Sequence, residues 1–242
     1  MSDPKIKNAA LVTGSAKRIG QALALSLARR GHDLALHYHT SERDILKTAR
    51  AIRKFGVRCE IFGCDLNSES ATQKFIAQVH KKFPHLNLLV NSASLFIPSG
   101  FDGRNLKLFN EHMNINLKAP FILMSEFARL CKRGQIVNLL DTNIVKNKTS
   151  YAAYLLSKKA LAELTKLAAV SFAPHIRVNG IAPGLILPPE GKSSSYLQKR
   201  ARHIPLKRAG NVCSLCQSLD FLLDNSYLTG QILFNDGGEH LI

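Results

Sequence analysis

The feature that most constrains this chain is an alternation that runs through its whole length. Short apolar, strand-like runs begin at about Ala9, Asp33, Arg58, Leu86, Gln135, Ile176 and Gln231, with helical patterns between them. Residues 41–54 (SERDILKTARAIRK) and 72–82 (TQKFIAQVHKK) are two such patterns. This alternation predicts βαβ units and an α/β fold: a doubly wound parallel sheet of about seven strands with helices on both faces. No repeat, low-complexity stretch or linker divides the 242 residues, so residues 1–242 are expected to form a single domain. A sheet of this kind binds ligands beyond the carboxyl ends of its strands, near the point where strand order reverses. Most of the motifs below follow strand ends.

The first unit reads AALVTGSAKRIG from Ala9 to Gly20, then QALALSLARR. A buried strand leads into a glycine turn and an amphipathic helix, the Rossmann-like arrangement for a dinucleotide. Gly14 permits a tight turn and Gly20 lets helix and strand lie close. The helix N-terminus then offers unpaired N–H groups to a pyrophosphate. A middle glycine is missing, and Arg18 stands in its place. Alone, such a turn is also compatible with a purely structural role.

A triplet adds the chemistry. Tyr154 precedes Lys158 by four residues, one helical turn away on the same face. The lysine can hold a cofactor ribose and favour the phenolate of the tyrosine. Asp141, thirteen residues upstream of Tyr154 and just after the apolar run QIVNLL, can reach the same spot.

These motifs, in this order, resemble the short-chain dehydrogenase/reductase family over essentially the whole chain. Thr13, Gly14 and Gly20 resemble its cofactor loop, and Asn91 to Ser94 (NSAS) its Asn-Asn-Ala-Gly strand end. Asn116 in NINLKAP resembles its active-site asparagine. RVNGIAPG and TGQILFNDGG resemble its later strand-and-turn signatures. Within the family the chain is most similar to the pteridine reductases. Arg18 fits their T-G-x-x-x-R-x-G loop, and His37-Tyr38-His39 their His-Tyr-His run. Asp141 replaces the usual catalytic serine, and Phe96 matches the phenylalanine that covers one face of the pterin.

The resemblance implies a catalytic set of Asp141, Tyr154, Lys158 and Asn116, with Asn116 supporting a proton relay. It implies cofactor contacts from Gly14, Lys17, Arg18, Ile19, Gly20, Tyr38, His39, Thr40, Ser41, Asp65, Leu66, Asn91, Ala93, Lys158, Pro183 and Gly184. Arg18, Ser94, Phe96, Asp141 and Tyr154 are expected to meet the substrate, and no metal is expected. The second strand ends in HYHTS with no acid before Glu42, so nothing there repels a 2′-phosphate, and NADPH is the expected cofactor. The family usually has an arginine near Thr40. Arg43 is the available substitute, and His39 as a solvated turn residue remains the other reading. Asp65 is either an adenine-side contact or a helix N-cap, a role Asn67 or Ser68 can also fill. Phe96 is either a stacking platform for a flat ring or a core residue.

Asp141 separates two chemistries. An ionised carboxylate opposes the alkoxide that develops in ketone reduction. A pterin ring instead presents N–H donors and C=N bonds that gain protons, which a carboxylate can accept from or serve. Residues 185–209 combine prolines, glycine, serines and cations, the profile of a substrate lid. Its cations either meet the glutamate tail of a folate or lie on exposed surface.

The net charge of +16, from 33 basic and 17 acidic residues, raises a nucleic-acid reading. The cations are scattered and no RNA or zinc module accompanies them, so steering of anionic cofactor and substrate is the better use. Five cysteines imply no disulfide framework, and Cys213-x-x-Cys216 reads as two packed thiols. No signal peptide or membrane span is apparent, so a cytoplasmic enzyme is expected, with no nucleic-acid or membrane partner. The combined expectation is NADPH-dependent reduction of a pterin or folate to the tetrahydro state by a homotetramer, the assembly the resemblance suggests. The alternatives are a 3-oxoacyl thioester or other carbonyl reductase, a non-catalytic dinucleotide sensor, and a basic nucleic-acid binder.

Overall fold

The computed structural model describes residues 8–101, 106–189, 191 and 193–242. Seven parallel strands form one sheet in the order β3-β2-β1-β4-β5-β6-β7. They are β1 (Ala9–Val12), β2 (Asp33–Tyr38), β3 (Cys59–Gly63), β4 (Leu86–Asn91), β5 (Gly134–Leu139), β6 (Ile176–Pro183) and β7 (Ile232–Asn235). Each begins within one residue of the expected position. The helices are α1 (Arg18–Arg29), α2 (Glu42–Arg53), α3 (Glu69–Lys82), α4 (Leu106–Met113), α5 (Ala119–Leu130), α6 (Ala152–Phe172), α7 (Ser194–Ala201) and α8 (Val212–Asp224).

Side chains of β1 alternate between two cores. Ala10 and Val12 face Leu23 and Leu27 of α1, Ile45 and Ile52 of α2, and Leu215 and Leu219 of α8. Ala9 and Leu11 face Phe75 of α3, Phe127 of α5 and Ala168 of α6. With both faces covered, the strands need apolar residues at every position, which is why they read as continuous runs.

Local signals set the helix ends. Ser68 caps α3 by accepting from Ala71 N–H at 3.4 Å, so Asp65 is not the cap. Glu42 and Asp44 in the first turn of α2, and Arg50 and Arg53 in its last, complement the helix dipole. Between α4 and α5 residues Asn114–Lys118 form a π turn, the kind of bulge often found where a helix serves a site.

The C-x-x-C motif corrects one expectation. Cys216, half-buried, packs against the first core as expected, whereas Cys213 is exposed, so one thiol of the pair is packed and not two. The apolar stripe of α8 runs through Leu215, Ser218, Leu219 and Leu222, which leaves Cys213 on the outer side.

Candidate active site

Strand order reverses between β1 and β4, and the crevice at their carboxyl ends is built by contacts between loops. Thr13, buried after β1, accepts the N–H groups of Ser92 and Ala93 on its Oγ1 at 2.9 and 3.0 Å. Gly14 has φ +62°, and a Cβ there would stand 2.8 Å from Ala93 Cα. At Gly20 a Cβ would stand 2.3 Å from Gly14 O, so loop and helix approach at backbone distance. Arg18 adopts φ +58°, the left-handed conformation that usually selects glycine. The turn is thus kept without the middle glycine. The Arg18 guanidinium donates to Pro188 O at 2.9 Å across the mouth of the crevice. Lys17 lies exposed beside it at the helix start, and Ile19 packs against the first core.

The end of β2 supplies the next wall. His37, not singled out on its own in the sequence, is buried there. Gly14 N–H donates to its Nδ1 at 3.0 Å, and its Nε2–H donates to Cys64 O at 3.0 Å. One ring therefore ties the first turn to the ends of β2 and β3. Burial lowers its pKa to about 4, with the Cys64 carbonyl pulling upward, so the ring is neutral. Tyr38 is half-buried, His39 and Thr40 are exposed, and Ser41 precedes α2. Asp65 follows β3, its carboxylate accepting Asn67 N–H at 2.9 Å and standing 4.0 Å from His39. The side chain of Leu66 is buried in the second core.

After β4, the Asn91 amide turns into the sheet and donates to Asn138 Oδ1 at 2.8 Å, and Asn138 donates to Thr165 at 2.9 Å. Ser94 Oγ donates to Asn116 Oδ1 at 3.2 Å. Asn116 is fully buried. It accepts Leu95 N–H at 2.8 Å and donates to Leu95 O at 2.9 Å and to Ser157 Oγ at 3.1 Å. Its side-chain amide is thus engaged in pinning the 94–95 segment to α6. Phe96 is 55% exposed, so it is no core residue. It stacks on Tyr151 with centroids 4.6 Å apart and planes 4° apart, and meets Tyr154 edgewise at 4.7 Å.

The triplet converges. Tyr154 Oη donates to Asp141 Oδ2 at 2.7 Å. Asp141 Oδ1 accepts Asn143 N–H at 2.7 Å and the Asn143 amide at 2.6 Å, which fixes the carboxylate plane. The next residue, Thr142, hydrogen-bonds Asp236 of the C-terminal turn, which also holds His240. Lys158 is buried and donates to Leu139 O at 2.7 Å. Burial lowers its pKa to about 8, against the upward pull of Asp141. Tyr154 is pushed well above its ordinary value by burial, then by the charge and hydrogen bond of Asp141. The expected phenolate is therefore not what this geometry favours. The tyrosine keeps its proton first because it is buried, and then because a carboxylate, not a cation, is its neighbour and hydrogen-bond partner.

Pro183 ends β6, and Gly184 N–H donates to Asn235 O at 3.0 Å. The segment that follows includes α7 and is closed at its base, where Gly210 N–H donates to Leu185 O at 3.0 Å. Ile186 and Ile204 are buried, and α7 carries exposed Lys199 and Arg200. Glu190 and Lys192, within residues 185–209, lie outside the described residues.

Missed by sequence reasoning were His37, Tyr151, Ser157 and the Thr142–Asp236 pair. His37 lies in the His-Tyr-His run and Asp236 in TGQILFNDGG, but neither run showed the hydrogen-bond partners.

Residues 14–240 match the family model described as enoyl-(acyl carrier protein) reductase, and the chain belongs to the short-chain dehydrogenase/reductase family. Within that family it is similar to pterin- and folate-reducing members. A solved structure of FolM alternative dihydrofolate reductase 1 from Brucella suis, in complex with NADP, superposes with a TM-score of 0.92 at 31% identity. That match covers 98% of this chain and 96% of the other. Dihydromonapterin reductase of Escherichia coli is 27% identical over 236 residues, covering 96% of each chain. Glucose 1-dehydrogenase of Gluconobacter oxydans is 29% identical over 239 residues, covering 94% of this chain and 90% of its own.

Proposed function

We propose that this chain reduces pterins, taking a dihydropterin, biopterin or dihydrofolate to the tetrahydro form with NADPH. The observation that carries the reading is the 2.7 Å hydrogen bond from Tyr154 Oη to Asp141, beside the exposed ring of Phe96. Similarity to a dihydromonapterin reductase and to a FolM structure holding NADP supports it.

The residues present suit the cofactor. The backbone approach at Gly14 and Gly20 leaves no room for a Cβ, and the N-terminus of α1 faces that approach, as a pyrophosphate requires. No acid ends β2, and exposed Lys17 and His39 are assigned to the 2′-phosphate, while the Arg18 guanidinium is engaged with Pro188 O. Asp65 stands on the adenine side. Among the described residues Lys158 makes one hydrogen bond, leaving ammonium protons for the ribose hydroxyls. When bound, NADPH supplies the hydride.

The protein supplies the proton and the orientation. Tyr154 holds its proton at Oη up to high pH and donates it to the ring nitrogen beside the carbon that is reduced. Asp141 accepts from the N–H donors of the pterin and fixes which nitrogen faces Tyr154. Its own plane is set by Asn143. Phe96 covers the ring on the side away from the hydride. The 185–209 segment, tied at Leu185 and Gly210, serves as a lid anchored by Arg18 at Pro188. A homotetramer in the cytoplasm belongs to the same reading. Among the described residues no helix is long and apolar enough to cross a membrane.

The test follows NADPH absorbance with dihydrobiopterin, dihydrofolate and an acetoacetyl thioester in parallel, for wild type and Asp141→Ser. Pterin turnover that falls about 10²-fold in the variant is expected, the scale of a lost oriented hydrogen-bonding or proton-transfer group. The carbonyl reading, which the similarity to glucose 1-dehydrogenase favours, predicts thioester turnover with inert pterins and an Asp141→Ser variant at least as active.

A further inference from the structure

Two side chains four residues apart hold the segment that carries Phe96. His112, near the end of α4, is fully buried, and its Nε2–H donates to Ile97 O at 3.1 Å. Asn116 makes paired hydrogen bonds with both backbone groups of Leu95. The residues before and after Phe96 are therefore both fixed from the same helical run. The Phe96 ring is backed by Tyr151, and the His112 ring lies edgewise to Tyr154 at 6.2 Å.

Stability alone does not ask for histidine here. The position is closed to solvent, and Nδ1 has no hydrogen-bond partner among the described residues. An aliphatic side chain would avoid leaving that acceptor unsatisfied. Burial lowers the pKa of His112, against the carbonyls of Ile97 and Leu95 and the charge of Glu111. The neutral ring that results has one N–H, and it is spent on Ile97.

We propose that His112 is a positioning residue of the substrate site, whose hydrogen bond to Ile97 O fixes the pitch of the Phe96 ring and so sets affinity for a flat heteroaromatic substrate. The identity of that substrate rests on the pterin reading; the clamp on Phe96 does not. Truncating the donor frees the 96–97 peptide while Asn116 still holds Leu95. The Phe96 ring then samples tilts that stack poorly, and binding weakens without a change in the proton donor.

The chain has no tryptophan, so Phe96→Trp installs a single indole at the position in question. Its fluorescence anisotropy is measured without substrate in three backgrounds: native His112, His112→Leu and His112→Gln. The leucine variant is expected to lower anisotropy, and glutamine, whose amide can donate to Ile97 O, to restore it. In the Phe96 background His112→Leu should raise KM for dihydrobiopterin about three- to tenfold, the scale of one aromatic stacking contact. Its kcat and its KM for NADPH should stay within about twofold, and His112→Gln should recover most of the loss. Equal anisotropy in all three backgrounds overturns the inference. So does a fall in kcat with both KM values rising together and no rescue by glutamine. If wild type leaves every pterin untouched, the pterin reading falls, and anisotropy alone decides the clamp.

Discussion

Tyr154 keeps its proton for reasons that can be ranked: burial first, then the charge of Asp141, then their hydrogen bond. Lys158 is the group near it that titrates in the working range. Its pKa of about 8 lies below the ordinary lysine value because the ammonium is buried. The cation therefore exists below about pH 8 and is lost as pH rises through that value. If the cation grips the ribose, kcat/KM for NADPH should fall above pH 8, since that ratio reports groups of the free enzyme. Lys158→Met should remove that limb and lower kcat/KM about 10²-fold across the range. A limb that survives in the methionine variant assigns it to another group. The convergence of Asp141, Tyr154 and Lys158 was legible because a strand end and a helical spacing of four each leave a mark in sequence. His37, His112 and Tyr151 left little, because their roles depend on which backbone groups their rings face across 15 to 27 residues or on a ring neighbour. In the His-Tyr-His run, His39 was singled out, whereas His37 makes the cross-link.

That cross-link operates at the scale of elements. His37 joins the β1 turn, the end of β2 and the residue after β3 through two 3.0 Å hydrogen bonds, one as acceptor and one as donor. Protonation would turn the acceptor Nδ1 into a donor facing Gly14 N–H. The folded pKa of about 4 lies below the ordinary 6.5. Stability from the neutral ring is thus present above about pH 6.5 and is lost as pH falls toward 4. Between pH 7 and pH 5 the loss should be on the order of 2 kcal/mol. Urea midpoints of wild type and His37→Asn at the two pH values check this, and an equal acid shift in both removes His37 as the cause. Helix and strand positions were legible because period and capping are local. The π turn at Asn114–Lys118 was not, because nothing in NINLK distinguishes it from ordinary helix. Nor was the exposure of Cys213, since a stripe of leucines predicts the helix but leaves open which flanking residue stays outside it.

For the whole molecule, alternation sufficed to give the sheet and the crevice, because a parallel sheet buried on both faces allows few windings. What it leaves open is how cofactor choice arises on a chain without the family's arginine near Thr40. The net charge of +16 offers a second source of selectivity besides the contacts proposed for Lys17 and His39. A 2′-phosphate adds about 1.5 to 2 negative charges at pH 7. The field of the whole surface therefore attracts NADPH more strongly than NADH before any contact forms. Raising ionic strength from about 0.01 to 1 M shortens the screening length from ~30 to ~3 Å. If the field selects, KM for NADPH should climb more steeply than KM for NADH, and the preference should shrink toward the part due to direct contact. Charge reversal far from the crevice, as in Lys81→Glu with Lys82→Glu, should then reproduce part of the effect at low salt. A KM ratio that stays constant across the salt series places selection in direct contacts alone, and Lys17→Gln combined with His39→Gln is then expected to abolish it.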